Sequence, residues 1–313
     1  MKYVFSAACG VGALLAASVA QPALATDLGV AWMGVSGMTN RVMAGFQERM
    51  AEIAPDVNLE IHPELTTEEE LEAAIAEFEA TMDGMVILRS NGSQFLAGRV
   101  TSIPTFIGGG NHPPSLGVVE NMNAPEGNIT GVTYFIPHEI PLQSYMALLP
   151  DVDSMLLLLQ EGHASGPVEE EGVLAACANL NLSCDVTYVT SADELAAAVG
   201  DNVDTYSAFL LGNTRLTIDD AAVAVEAAGD VPVFAFTGTP VEQGVLAGYV
   251  ADDEKLGRML ADAVVEVLVE GTPVADVPVG TDDTPLLYVN MTTAQRLGIE
   301  IPFQMLSTAT IIE

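Results

Sequence analysis

Two series of short apolar runs alternating with helix-patterned segments make up this chain, one on each side of a turn-rich seam. The seam opens at Glu126-Gly127-Asn128-Ile129-Thr130-Gly131-Val132-Thr133 and runs on through Pro150-Asp151-Val152, near the midpoint. In the first series, strands are expected at 27–33, 57–62, 85–88 and 104–108. A helix over about 38–54 carries Val42, Phe46, Met50 and Ile53 on one face and stops at Pro55. A second helix is capped by Thr66 or Thr67, with Glu68-Glu69-Glu70 in its first turn. The second series places strands at 154–159, 185–189, 208–211 and 233–236. Its helices run to about 180, from a cap at Ser191 or Asp193, and over 218–228. A run at 246–251 then leads into a long amphipathic helix over 253–270. A strand-like tail at 285–291 and a short helix capped by Thr292 close the chain. Strands that are apolar throughout, rather than alternating, imply parallel sheets covered by helices on both faces. Two such series joined by a turn-rich seam imply an α/β chain of two Rossmann-like lobes linked by a hinge.

The N-terminus restricts which residues belong to those lobes. Lys2 precedes an apolar run to about Ala20, and Ala23 and Ala25 form an A-x-A cleavage site. Residues 1–25 therefore read as a cleaved signal peptide, with a mature chain starting at Thr26. The alternative is a lipoprotein signal at Ser6-Ala7-Ala8-Cys9. Export implies a periplasmic or other extracytoplasmic location. The chain has 43 acidic against 9 basic residues, two of them Lys (Lys2 and Lys255). Phosphate neutralisation needs a basic face, so nucleic-acid binding is excluded as a function class, and anionic membranes repel such a surface. Two readings of the acidity stand: a halophilic or marine source whose salt screens the self-repulsion, or acidity for solubility alone. Cys177 and Cys184 lie where a helix ends and a strand begins. In an oxidising compartment they form a short-loop disulfide, or else stay as two buried thiols.

Several stretches resemble the ABC-transporter substrate-binding proteins of the tryptophan/tyrosine-binding type. They are "EGNITGVT" followed by a helix ending in "LLPDV", then "VPVFAFTGTPVEQGVLAGYVADDEKLGRMLADAVVEVLVEGTPVADVPV", and finally "YVNMTTAQRLGIEIP". The resemblance covers nearly the whole mature chain and is denser in its C-terminal half. It implies a type I periplasmic binding protein fold with a three-crossing hinge, near 136–141, 250–253 and 280–285. The first lobe would comprise 26–136 plus about 253–280, and the second 137–252 plus about 281–313. It also implies a monomer that captures a small ligand, amino-acid-like or aromatic, between the lobes and delivers it to an ABC permease. No cofactor, metal, nucleic acid or membrane insertion is implied. Two other classes share the scaffold: a periplasmic sensor subunit serving a receptor kinase, and an enzyme.

In open α/β sheets, ligands bind outside the carboxyl ends of the strands. That rule selects 32–37, 90–94 and 109–113 in the first lobe and 133–135, 161–165, 212–214 and 237–239 in the second. The expected ligand residues are Trp32, Gly34, Ser36, Asn91, Ser93, Gln94, Asn111, His112, Tyr134, Glu161, Asn213 and Thr237. Such Gly-, Ser-, Thr- and Asn-rich loops present backbone N–H groups and hydroxyls to a ligand, or are simply tight βα turns. Trp32, the single Trp, either stacks on a flat ligand or packs in the core. The resemblance implies that Ser93 and Gln94 sit where the family receives a ligand carboxylate at a helix N-terminus.

The chain departs from the family at two places. Where amino-acid-binding members carry an acid in a T-D-P step, it reads Asn111-His112-Pro113. After "GV", where an acid is also usual, it reads Thr133-Tyr134. Both departures remove a carboxylate from the expected ammonium site, leaving Glu161 or Glu242 as substitutes and making an ordinary α-amino acid a doubtful ligand. His112 donates a hydrogen bond, senses pH, or is a surface-loop residue. The four histidines, His62, His112, His138 and His163, have no metal spacing. Neither a G-x-S-x-G elbow nor a P-loop occurs, so nothing points to an enzyme.

Overall fold

The structure is a computed structural model that describes Met1 and residues 26–313. The signal-peptide expectation for residues 1–25 falls, apart from Met1, outside the described residues. The first run of elements is β1 (Asp27–Met33), α1 (Gly37–Ile53), β2 (Asn58–Leu65), α2 (Glu68–Thr81), β3 (Gly84–Leu88), α3 (Ser90–Leu96), β4 (Thr105–Gly110) and β5 (Ile129–Thr133). The second is α4 (Glu139–Leu148), β6 (Ser154–Gln160), α5 (Gly166–Leu180), β7 (Ser183–Val189), α6 (Ala192–Gly200), β8 (Ala208–Leu211), α7 (Arg215–Asp219), α8 (Ala221–Ala228), β9 (Val233–Ala235), α9 (Thr239–Glu242) and β10 (Ala247–Val250). The chain closes with α10 (Asp253–Leu268), β11 (Gly280–Thr281), β12 (Leu286–Asn290), α11 (Met291–Leu297), α12 (Phe303–Leu306) and β13 (Thr310–Ile312).

Two sheets result, ordered β11-β5-β4-β3-β1-β2 and β13-β12-β10-β9-β8-β6-β7. The first is parallel throughout. The second is parallel except where β12 runs antiparallel to β10. Each apolar strand sends alternate side chains to opposite faces, and helices cover both. In the second sheet Leu157, Leu159, Leu210 and Phe234 pack on one side, and Leu156, Leu158, Phe209 and Leu211 on the other. Phe106, Val86 and Leu88 face one side of the first sheet, while Ile87, Met85 and Ile107 face the other.

The chain passes between the sheets after β5, after β10 and after β11. The second passage brings α10 back onto α1. A Cβ at Gly257 would stand 2.0 Å from the Val42 carbonyl oxygen, and one at Gly45 2.1 Å from that of Glu254, so glycine is required for the helices to touch. Leu256, Leu260 and Val264 are fully buried there, each contributing about 1.5–3 kcal/mol. Ion pairs stitch the outer side: Arg49 to Asp262 at 2.8 Å, Arg258 to Glu52 at 2.7 Å and Arg41 to Asp253 at 2.8 Å.

Local chemistry decides several ambiguous boundaries. Thr67 caps α2, while Glu70 reaches back to the Thr66 N–H and hydroxyl. Ser191 caps α6. The final-helix cap is Asn290 rather than Thr292, because the Asn290 carboxamide accepts from the Thr293 N–H at 2.8 Å. Nor is that helix last, since α12 and β13 follow. The single helix expected over 218–228 is broken at Asp220 into α7 and α8. Cys177 and Cys184 are joined, with Cα atoms 6.2 Å apart, across the left-handed turn at Asn181. Among the described residues, no helix is long and apolar enough to cross a membrane.

Candidate functional site

The carboxyl ends of β3, β4 and β5 face those of β6, β8 and β9 across the gap between the sheets. One expected loop is absent there. The segment 90–94 is not a loop after β3 but the opening of α3, because Arg89 alone makes the turn at φ 75°. A left-handed conformation at a residue other than Gly costs of order 1–3 kcal/mol and is typical of functional sites. The Arg89 guanidinium donates to the Met33 carbonyl. The turn delivers Ser90 into the gap. Its Oγ accepts from the Asn111 N–H at 2.9 Å and from the Ser165 hydroxyl at 3.1 Å. The Tyr134 hydroxyl lies 3.1 Å from Ser165 Oγ and 3.4 Å from Ser90 Oγ. Residues 133–135, which the strand-end rule assigns to the second lobe although the expected bounds put them in the first, form the end of β5 and the turn after it in the first sheet, because β5 pairs with β4. Thr133 Oγ1 fixes this turn by donating to the Gly110 carbonyl at 2.8 Å and accepting from the Phe135 N–H at 3.0 Å.

Opposite stands Glu169, in the first turn of α5 and 2% exposed. One carboxyl oxygen accepts from the Asn213 N–H at 2.7 Å, the other from Asn111 Nδ2 across the gap at 3.3 Å. A Cβ at residue 212 would sit 2.6 Å from this carboxylate, so Gly212 is what lets the β8 turn approach it. Burial pushes the Glu169 carboxyl up to about 8, with the two hydrogen bonds opposing. Burial raises Tyr134 as well. It lowers His138 and His163 to about 4, and lowers His112.

An aromatic wall completes the site. Phe135 lies 4.3 Å from the His112 ring and 5.5 Å from His138, which is 5.2 Å from Phe236. A cavity of about 30 Å³ remains, lined by Asn111, Tyr134, Phe135, Ile136, His138, Pro141, Glu169, Asn213, Phe236 and Tyr249. That is room for about one water molecule. The structure is thus a closed one, and anything larger requires the lobes to separate. A larger groove of about 220 Å³ beside α2 and α3 lies on the outside of the first lobe, and its Arg99 is already paired with Glu72 at 2.7 Å. Glu60, His62 and Glu77 also approach one another on the edge strand β2 and α2, at exposed or half-buried positions.

Of the expected residues, the structure brings Asn111, Tyr134 and Asn213 to the cavity, with His112 against its Phe135 wall. Thr237, beside Phe236, and Ser93 are buried with hydroxyls that have no partner. Trp32 packs in the first-lobe core, its indole N–H also without a partner. Gly34 adjoins the Arg89 guanidinium, Ser36 caps α1, and Asn91 accepts from the Gly92 N–H. Gln94 and Glu161 are exposed, as is Glu242. Gln94 faces out because α3 starts at Ser90, and Glu161 because it sits in the turn after β6. Sequence reasoning missed Arg89, Glu169, His138, Phe236 and Tyr249 as site residues; Ser90 and Ser165 lay in selected loops but were not singled out.

Known proteins share this architecture. The chain is 22% identical over 200 residues to the tyrosine-binding protein of Clostridioides difficile; the match covers 63% of this chain and 58% of that protein's length. An ABC domain from Streptococcus pneumonia, solved in complex with L-Trp, superposes with a TM-score of 0.79 at 22% identity, covering 92% of this chain and 99% of that one. A ligand-free, open substrate-binding protein with adhesive properties from Clostridium difficile gives 0.78 at 17% identity, covering 92% and 99%. At those identities the likeness speaks for the fold, that of a type I periplasmic binding protein. The model for ABC transporter substrate binding proteins matches residues 38–312, and the chain belongs to that family.

Proposed function

We propose that this protein is the extracytoplasmic solute-binding component of an ABC importer. It takes an amino-acid-like or aromatic ligand between its lobes and passes it to a permease as a monomer, without chemical turnover. The observation that carries the reading is the polar seam across the cleft: Ser165 to Ser90 at 3.1 Å, Tyr134 to Ser165 at 3.1 Å and Asn111 to Glu169 at 3.3 Å. These bonds join different lobes and exist only on closure. Opening leaves their groups free to meet a ligand, and a bound ligand replaces them as the link that favours the closed state.

The division into 26–136 with about 253–280, and 137–252 with about 281–313, is part of this proposal. It is supported by the α1–α10 packing and by β11 joining β5. The relatives' ligands, tyrosine and L-Trp, motivate the ligand class. The test is a thermal-shift screen in high salt covering amino acids, aromatic acids, nucleobases and short peptides. The reading predicts stabilisation by a member of the first two groups, with the compound recovered unchanged. Stabilisation by nucleobases alone, or conversion of the hit, would contradict it.

A further inference from the structure

The buried carboxyl group of Glu169 has hydrogen bonds but no counterion in the fold. None of the ion pairs among the described residues includes it. Arg89, at the turn after β3, is committed to the Met33 carbonyl. Burying an unpaired carboxylate is costly, so proteins pair such groups or leave them neutral. Glu169 has neither a lysine nor an arginine beside it, yet three features hold it in place: the N–H of Asn213, the absent side chain at Gly212 and the first turn of α5. Its other oxygen points across the cleft at Asn111, a first-lobe residue. When the lobes part, that oxygen loses its only cross-lobe donor while the Asn213 bond, within the second lobe, persists. The open cleft therefore presents a fixed, inward-facing acceptor, ionised once water reaches it, beside the second-lobe rings of Phe236 and Tyr249, with Phe135 facing it from the first lobe. A carboxylate with aromatic faces around it is the environment that receives an organic ammonium, by a charge-assisted hydrogen bond and by cation–π attraction.

We propose that Glu169 is the receptor for a cationic nitrogen on the ligand, which enters the place Asn111 Nδ2 takes in the closed structure. The ammonium site then lies on the second lobe, at the start of α5, and not at the Asn111-His112-Pro113 step of the first. This assignment rests on reading the cleft as the ligand site. It removes the difficulty that the chain has no acid at the positions where amino-acid-binding relatives carry one.

Calorimetric titration of the wild type and of Glu169→Gln tests it. The probes are L-tyrosine and L-tryptophan, their amines tyramine and tryptamine, the matching 3-aryl-propionates, and D-ribose. Every compound that binds the wild type is expected to carry an ammonium, and E169Q to weaken each by roughly 30-fold or more. Propionates or ribose binding as tightly as the amines, or E169Q binding unchanged, would overturn the assignment. Failure of the amino-acid reading looks different: the amines bind through Glu169 while both amino acids do not. Absence of binding by every probe would count against both. If E169Q loses its cooperative unfolding, Glu169→Asp keeps the charge on a shorter arm. It should still prefer amines to propionates, and equal binding of the two would be contrary.

Discussion

Lys255 Nζ lies 2.6 Å from Asp282 Oδ1 and joins two of the three passages between the lobes. Lys255 sits in the first turn of α10, just after the second passage, and Asp282 just after β11 in the third. The Asp282 side chain is fully buried, and its other oxygen accepts from the Asp252 N–H at 2.8 Å. Asp283 and Thr284 also hold the ammonium. Lys255 is the only lysine among the described residues, and it binds two hinge segments to each other rather than to either sheet.

Lys255→Met should therefore destabilise the protein. The buried Asp282 keeps two backbone donors but loses its cation, so the expected loss is roughly 1–3 kcal/mol. Urea unfolding measures it. An unchanged midpoint would mean that the hinge segments are held by packing alone.

Ligand-free stability should depend on pH in a direction set by Glu169. Its folded-state value, about 8, is above the ordinary 4.5, so the folded protein holds the proton that the unfolded chain has released. That contribution is complete below about 4.5 and is lost as pH rises through about 8. His138 and His163, lowered to about 4 from 6.5, act oppositely: their folded forms resist protonation, so stability rises with pH from about 4 to 6.5. Asp253, raised to about 6 by burial, and Glu169 itself together cancel that rise between about 4.5 and 6, so the net rise toward the maximum comes from about 6 to 6.5. A maximum near pH 6.5 follows, with a falling limb to about 8 that Glu169→Gln abolishes. Thermal melts across this range check both features, and a flat profile from 6.5 to 8 would contradict the assignment of that limb.

The acid excess predicts salt dependence. With 43 acidic and 9 basic residues, self-repulsion weakens the folded state wherever it is unscreened. The Debye length shrinks from about 10 Å at 0.1 M to about 3 Å at 1 M salt. The melting temperature should accordingly climb steadily over that range. Circular dichroism after dialysis into salt-free buffer is the check, and full stability there would leave acidity for solubility as the better explanation.

Replacing Cys177 and Cys184 by serine should lower stability by about 2–3 kcal/mol, the chain-entropy value for so short a loop. Denaturation with and without reductant should show the same difference in the wild type and none in the double variant. A wild type indifferent to reductant would mean that the crosslink does not form.

Much of the fold was readable because its signals are local. Apolar runs such as 155–159 are buried on both faces, and Thr67, Ser191 and Pro55 punctuate helices by chemistry of one or two residues. The cleft was readable only as a set of loops. Glu169 was missed because it lies within Glu169-Glu170-Glu171, inside a helix of a very acidic chain, and only the opposing Asn111 and Gly212 distinguish it from its neighbours. Arg89 was missed because a positive φ at a residue other than Gly leaves no sequence trace. Gln94 was expected in the cleft because the strand-to-helix turn was read as longer than the single residue it is, and one helical turn carried it to the outside. The strand-end rule assigned Thr133 and Tyr134 to the second lobe, against the lobe bound drawn at 136, because strand order, unlike strand existence, depends on contacts distant in sequence.

The central claim is that a ligand binds between the lobes and touches both. A crystal structure of the protein with the compound that most raises its melting temperature tests this most directly. The account predicts density in the cleft, with contacts to Asn111 or Tyr134 from the first lobe and to Glu169 or Asn213 from the second. A ligand seated elsewhere, or held by one lobe with the seam between Ser90 and Ser165 intact, would contradict it.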